Sequence, residues 1–243
     1  MTINSSTYPG FSGKELKNRL PFPIICENNV RCMAFGRYLF DKTSPETFAF
    51  FHIGLGMFCA MMKDSHLFQG TNYYAGEIGH TIVNPEGKKC ECGKRGCLQT
   101  YCSETWLLKY CRLLYESNAN TVLTSLKPSS EDLTIEDISK AFSLGDPQIG
   151  NYISTALKYL GITISNLAII MNPTALCFPI KKSVKSLWTI SNSSFSLWTT
   201  PQTRPYRLYL TTLLKDRKVP LLMVLRTFTL IPYKKGTENF SFV

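Results

Sequence analysis

The residues best suited to do chemistry are His80, Cys90, Cys92 and Cys97, spaced His-x9-Cys-x-Cys-x4-Cys. Three thiolates and one imidazole make a normal tetrahedral zinc set. Soft sulfur donors favour zinc over magnesium or calcium. Four protein ligands leave no open coordination position, so such a metal is structural. Gly87, Gly93 and Gly96 supply the bends that so short a loop needs. Lys88, Lys89, Lys94 and Arg95 lie between the ligands and offset thiolate charge. Free thiols or disulfides are the competing readings. Nine cysteines is an odd number, and the first residues carry no apolar leader, which speaks against a disulfide framework. Cys26, Cys32, Cys59, Cys102, Cys111 and Cys177 fall in apolar segments and are expected to pack in the core.

These ligands need elements to hold them. Residues 21–29 read as a strand entering a polar loop, and 30–40 as a helix with Cys32, Phe35 and Leu39 on one stripe, Met33 and Phe40 beside it. Residues 48–62 hold two apolar runs around Gly54 and Gly56, a strand–turn–strand signal. Ser103 caps a helix to about Glu116, with Trp106, Leu107, Tyr110, Leu113 and Leu114 on its apolar side. Thr134 and Asp137 form a capping box for a helix to about Phe142. Asp146-Pro147 opens a long helix to about Met171, and Ala175 to Phe178 reads as a buried strand. The order is that of an α/β protein.

The chain has 243 residues and a formal charge of +10. Its 44% hydrophobic and 18% charged residues exclude wholesale disorder and a disulfide miniprotein. No uninterrupted apolar run reaches about 18 residues, so no membrane span is expected. The charge is uneven. Residues 1–180 carry 16 Lys and Arg against 15 acids, whereas 181–243 carry 11 against two, Asp216 and Glu238. That tail also has no Ala, one Gly and sixteen Ser or Thr. A near-neutral body is therefore joined to a basic tail, and charge alone makes a weak case for direct DNA binding.

The run GEIGHTIVNPEGKKCECGKRGCLQTY, residues 76–101, closely resembles the zinc-binding signature of the ROK family of bacterial sugar kinases and sugar-responsive repressors. Glu77, Gly79, His80, the three cysteines, Gly93 and Gly96 fall in register, as do Cys26 to Arg31. The resemblance extends from about Tyr8 to Pro173. It implies an actin-like, ribonuclease-H-type ATPase fold, with a partial first lobe in 1–44 and a zinc-containing second lobe in 45–180. A sugar or sugar phosphate would bind between the lobes. His80 would give one ring nitrogen to zinc and turn the other to a sugar hydroxyl, since fixing one nitrogen aims the other. Asn28, Asn29, Glu77 and Gln99 would complete the sugar contacts.

Several residues depart from the kinase pattern. Kinases of this family carry Glu-Asn-Asp, whose aspartate takes the sugar proton; here the stretch is Glu27-Asn28-Asn29. An amide cannot act as a carboxylate base. The phosphate loop is reduced to Gly54 and Gly56, with Phe58 where a small residue is usual, and Gln99 replaces a glutamate. The first phosphate loop, the repressors' helix-turn-helix and the glycine turn after Asn172-Pro173 have no counterpart. The expectation is a sugar-binding regulator or its remnant, cytoplasmic and oligomeric, without catalysis, touching DNA only through a missing N-terminal domain. An ATP- and Mg2+-dependent sugar kinase is the alternative, and a non-folding gene fragment a third reading. The tail, 181–243, matches nothing in the family and is expected to follow a frameshift between residues 178 and 190.

Overall fold

The computed structural model describes residues 18–19, 21, 24–42, 44–117, 119–180, 207–212, 224–225 and 228–232. The chain forms two compact units. The first comprises 1–50, 60–76 and 214–243, and the second 51–59 and 77–213. Strand order in the larger sheet is β4-β3-β2-β5-β6, with β2 Phe48–Ile53, β3 Met57–Lys63, β4 His66–Phe68, β5 Ala175–Ile180 and β6 Arg207–Thr212. Phe48 to Phe51 and Met57 to Met62 are all buried, the continuous apolar reading of strands covered on both faces.

In the first unit, β1 (Ile24–Asn28) pairs antiparallel with β8 (Phe228–Pro232), which pairs with β7 (Val224–Leu225). β1 runs directly into helix α1 (Asn29–Phe40), capped by the Asn28 side chain, whose Oδ1 accepts from the amides of Val30 and Arg31. The predicted stripe of Cys32, Phe35 and Leu39 is not the buried face. Val30, Arg31 and Ala34 are buried, while Leu39 and Phe40 are 50% and 68% exposed. The cause is Arg31. Its guanidinium pairs with Glu27 at 2.9 Å and donates to the carbonyls of Tyr73 and Ala75, each at 2.8 Å, and of Gln69 at 3.4 Å. The Gln69 amide donates to the second Glu27 oxygen. A charge is buried only when it is paired and hydrogen-bonded, so this network fixes the rotation of α1 against the 69–75 loop.

In the second unit, helices α2 (Gln99–Cys102), α3 (Glu104–Glu116), α4 (Leu123–Leu126), α5 (Ile135–Ser143) and α6 (Pro147–Met171) follow the loop that carries His80, Cys90, Cys92 and Cys97. Leu107, Cys111, Leu123, Ile138, Ala141, Ile149 and Ile153 lie at the centre of their core. Ser103 caps α3, and the Thr134–Asp137 box and the Asp146 cap are present as expected. On α3 the stripe is narrower than predicted: Leu107 and Cys111 are buried, but Leu113 is 59% exposed. Length and composition alone would let α6 cross a membrane, yet Ile149, Ile153, Ala156, Leu160 and Ile164 along it are buried in the protein. The helix stops at Asn172, which takes the left-handed conformation (φ 43°) common at helix C-termini, before Pro173. β5 then pairs in parallel with β6, and Phe178 stacks on Phe51 at 4.8 Å. Of the six remaining cysteines, Cys59, Cys102, Cys111 and Cys177 are buried as expected, Cys32 is half-buried, and the Cys26 side chain lies outside the described residues. The composition break and the expected frameshift fall chiefly on 181–206, outside the described residues, as does the resemblance before Asn18.

Candidate metal centre

The loop that carries the ligands is tied by its own backbone. A single turn of 3-10 helix, Ile78–His80, follows Glu77. The Cys90 amide donates to the Lys94 carbonyl at 2.8 Å and the Gly93 amide back to the Cys90 carbonyl at 3.0 Å, closing a knuckle around Cys92. Gly96 donates to Lys88 and accepts from Val83, while Leu98 donates to Thr81. Gly96 sits at φ +67°, and a Cβ there would lie 1.5 Å from the Asn84 carbonyl oxygen, so no other residue fits. Gly87 is needed for close approach instead: its Cβ would meet the Tyr101 hydroxyl at 2.1 Å. That hydroxyl accepts from the Asn84 amide at 3.1 Å. Gly87→Ala must push Tyr101 aside and should lower unfolding free energy by about 1–3 kcal/mol. A thermal melt equal to that of the parent protein would show that the loop yields freely.

The four predicted ligands come together. One donor atom from each of His80, Cys90, Cys92 and Cys97 lies within 4.8 Å of the others. His80 Nδ1 is 3.6 Å from Cys90 Sγ, and Cys92 Sγ is 3.6 Å from Cys97 Sγ. A tetrahedral ion with Zn–S near 2.3 Å and Zn–N near 2.0 Å needs ligand separations of about 3.5–3.8 Å. The donor set and its spacing therefore fit zinc. Nδ1 is the nitrogen turned to the thiols, which leaves Nε2 for another partner. Burial, then Lys94, holds His80 below the usual histidine range, so its imidazole is neutral and able to ligate. Burial and the neighbouring thiols push Cys97 up to about 12. Burial also acts to raise Cys92, but the Lys94 amide and the adjacent thiols outweigh it and bring Cys92 below the usual range. Three thiols so close cannot ionise together without a cation among them. Lys94 reinforces the geometry from outside, its ammonium donating to the His80 carbonyl at 2.8 Å.

The other predicted residues fall in different places. Asn28 and Asn29 belong to the first unit, and Glu77, His80 and Gln99 to the second. The Asn28 side chain is committed to capping α1. Gln99 is buried, and its amide donates to Glu91 at 3.1 Å and Cys90 Sγ at 3.5 Å, so it holds the Cys90 thiol in place. Gln99 Oε1 packs against Gly79, where an added Cβ would sit 3.0 Å from it. The Gly54–Gly56 turn joins β2 to β3, with Gly54 buried and Gly56 exposed. At the start of α3 the Glu104 amide donates to the Gly54 carbonyl at 2.8 Å, and Thr105 Oγ1 to the Leu55 carbonyl at 2.9 Å. These donors are spent on the protein. Sequence reasoning missed the Arg31 network and Glu91. The Glu27–Arg31 spacing of four was the available signal for the first; Glu91 had none.

A family model described as the ROK family matches residues 11–179. Curated relatives include the xylose repressor of Bacillus subtilis, 28% identical over 162 residues, covering 66% of this chain and 38% of that protein. The glucokinase of Halalkalibacterium halodurans is also 28% identical, covering 65% and 49%. The chain thus spans less than half the length of these relatives. Among solved structures, a ROK family transcriptional regulator described as a homolog of the Escherichia coli MLC protein superposes with a TM-score of 0.67 at 25% identity, covering 82% of this chain and 50% of that one. A ROK family glucokinase from Streptomyces griseus, in complex with glucose and AMPPNP, gives 0.69 at 24%, covering 81% and 65%, a likeness of fold. With the signature loop in register and the family's model matched over residues 11–179, most of this chain, the chain belongs to the ROK family.

Proposed function

We propose that the chain is a sugar-binding ROK protein of the regulator type, with structural zinc in the 80–97 loop and no phosphoryl transfer. The observation that carries this reading is the fate of the carboxylate in Glu27-Asn28-Asn29. Glu27 is the stretch's one acid, and it is consumed: Oε1 accepts from Arg31 and from the Asn28 amide, and Oε2 from Gln69. A general base must be free to take the substrate's proton. Asn28 caps a helix, and Asn29 offers an amide, which binds a hydroxyl without deprotonating it. Glu77 and His80 Nε2 supply hydroxyl partners in the second unit. Xylose repressors among the relatives support a sugar ligand and a repressor role for the whole protein; the glucokinase relative keeps the ATP- and Mg2+-dependent kinase as the competitor.

The test is calorimetric titration of the purified protein with a panel of monosaccharides and sugar phosphates, beside a coupled assay for ADP. Saturable binding of one sugar with no sugar-dependent ADP release is expected. Sugar-stimulated ADP release above background would overturn the regulator reading, and folded, zinc-loaded protein that binds no sugar would overturn the binding half.

A further inference from the structure

The ammonium of Lys88 stands over four aromatic rings at once. It lies 5.1 Å from the centroid of Tyr152, 5.3 Å from Tyr101, 5.7 Å from Trp106 and 6.0 Å from Tyr110. The attraction of a cation to a ring face is significant within about 6 Å, so each of the four contacts counts. The rings come from α2, α3 and α6, and two of them, Tyr110 and Tyr152, stack at 4.2 Å. Among the described residues no carboxylate lies within ion-pair distance of Lys88, so rings take the place of an acid. Trp106 Nε1 and Tyr152 Oη are buried without hydrogen-bond partners among the described residues, and such atoms mark places where a ligand or water completes the bonding. An apolar cavity lies beside Tyr101 and Tyr152, closed by Leu107, Ile153 and Ala156. The Lys88 carbonyl is fixed by the Gly96 amide at 2.8 Å, so the residue joins the metal loop at its backbone and three helices at its side chain.

We propose that Tyr101, Trp106, Tyr110 and Tyr152 form an organic-cation site whose resident occupant is the chain's own Lys88, and that this docking holds the 86–92 segment to the helices behind it. The ligand class is an alkylated ammonium. A tethered ammonium competes at an effective concentration in the millimolar range, so a free cation enters readily only when Lys88 is shortened. The inference is independent of the sugar reading and needs no sugar in its test.

The test titrates full-length Lys88→Ala with tetramethylammonium, following tryptophan fluorescence, with tert-butanol as the neutral counterpart of equal shape. Saturation by tetramethylammonium but not tert-butanol is expected, about tenfold weaker in the parent protein and lost when Tyr152→Leu is added. Hydrogen exchange of the 86–92 peptide should rise about three- to tenfold in Lys88→Ala, the range that loss of a partly buried cation–ring contact implies, and stay near the parent value in Lys88→Arg. Circular dichroism establishes that each variant is folded. Equal responses to the two solutes, or no saturation in folded Lys88→Ala, would overturn the cation site. Unchanged exchange in Lys88→Ala would overturn its hold on the loop.

Discussion

Cys97→Ala should leave the protein without bound zinc and its 80–98 segment unstructured, while the helical part of the second unit keeps its melt. Cys97 is fully buried, 3.6 Å from Cys92 Sγ, and its removal leaves a three-donor site. Structural zinc in small domains contributes about 10–16 kcal/mol of apparent binding free energy, and that energy is folding energy for the segment that supplies the ligands. The loop has little core of its own. Between Thr81 and Glu91 no side chain is buried except Cys90, and the other ties are backbone hydrogen bonds within the loop, the Asn84–Tyr101 bond and the Lys88 contacts with the rings. The measurement is zinc per chain by atomic emission, with limited proteolysis across the loop. Cys102→Ala is the control: Cys102 is also buried, but its thiol faces the Ala156 carbonyl at 3.1 Å, so zinc should remain at one per chain. Full zinc occupancy in Cys97→Ala would remove Cys97 from the ligand set.

The clustering of His80, Cys90, Cys92 and Cys97 was legible because metal ligation imposes both residue type and spacing. A histidine and three cysteines within eighteen positions, punctuated by glycines, have few other uses. Helix starts were legible for a similar reason, since Ser103, Thr134 and Asp146 satisfy amides that lie next to them in the chain. The rotation of α1 was not, because an arginine in a helix reads as solvated until its long-range partners are known. Arg31 is only 2% exposed because carbonyls some forty residues away surround it. Gln99 shows the same limit. Its type allows a sugar contact, and only the fold reveals that its amide is turned to Glu91 and Cys90. The aromatic set around Lys88 is assembled from three helices and one loop, and no local pattern announces it.

Asp146→Ala should destabilise the second unit by about 2–5 kcal/mol, the sum of a lost helix cap and buried donors left without partners. Asp146 is 2% exposed, and every oxygen it has is used. Oδ1 accepts from the amides of Gln148 and Ile149, at 3.0 and 3.1 Å, capping α6. Oδ2 accepts from Thr121 Oγ1 at 2.6 Å and the Val122 amide at 2.8 Å, holding the start of α4 to α6. Asp146→Asn keeps the cap but turns an amide donor toward the Val122 amide, so it should cost less than alanine yet remain measurable, about 1–2 kcal/mol. The pH dependence separates the carboxylate from its shape. Burial acts to raise the Asp146 carboxyl, but the Thr121 hydroxyl and the Ile149, Val122 and Gln148 amides outweigh it and hold it below the usual aspartate range. A group depressed in the folded state stabilises fully above its unfolded value, near 3.9, and that contribution is lost as pH falls through the folded value. The stability gap between the parent protein and Asp146→Asn should therefore be constant from pH 7 to pH 5 and narrow below about pH 4. Urea titrations at stepped pH measure it. A gap that widens on acidification would mean the carboxyl is protonated in the folded protein, and the four-bond assignment would fall with it.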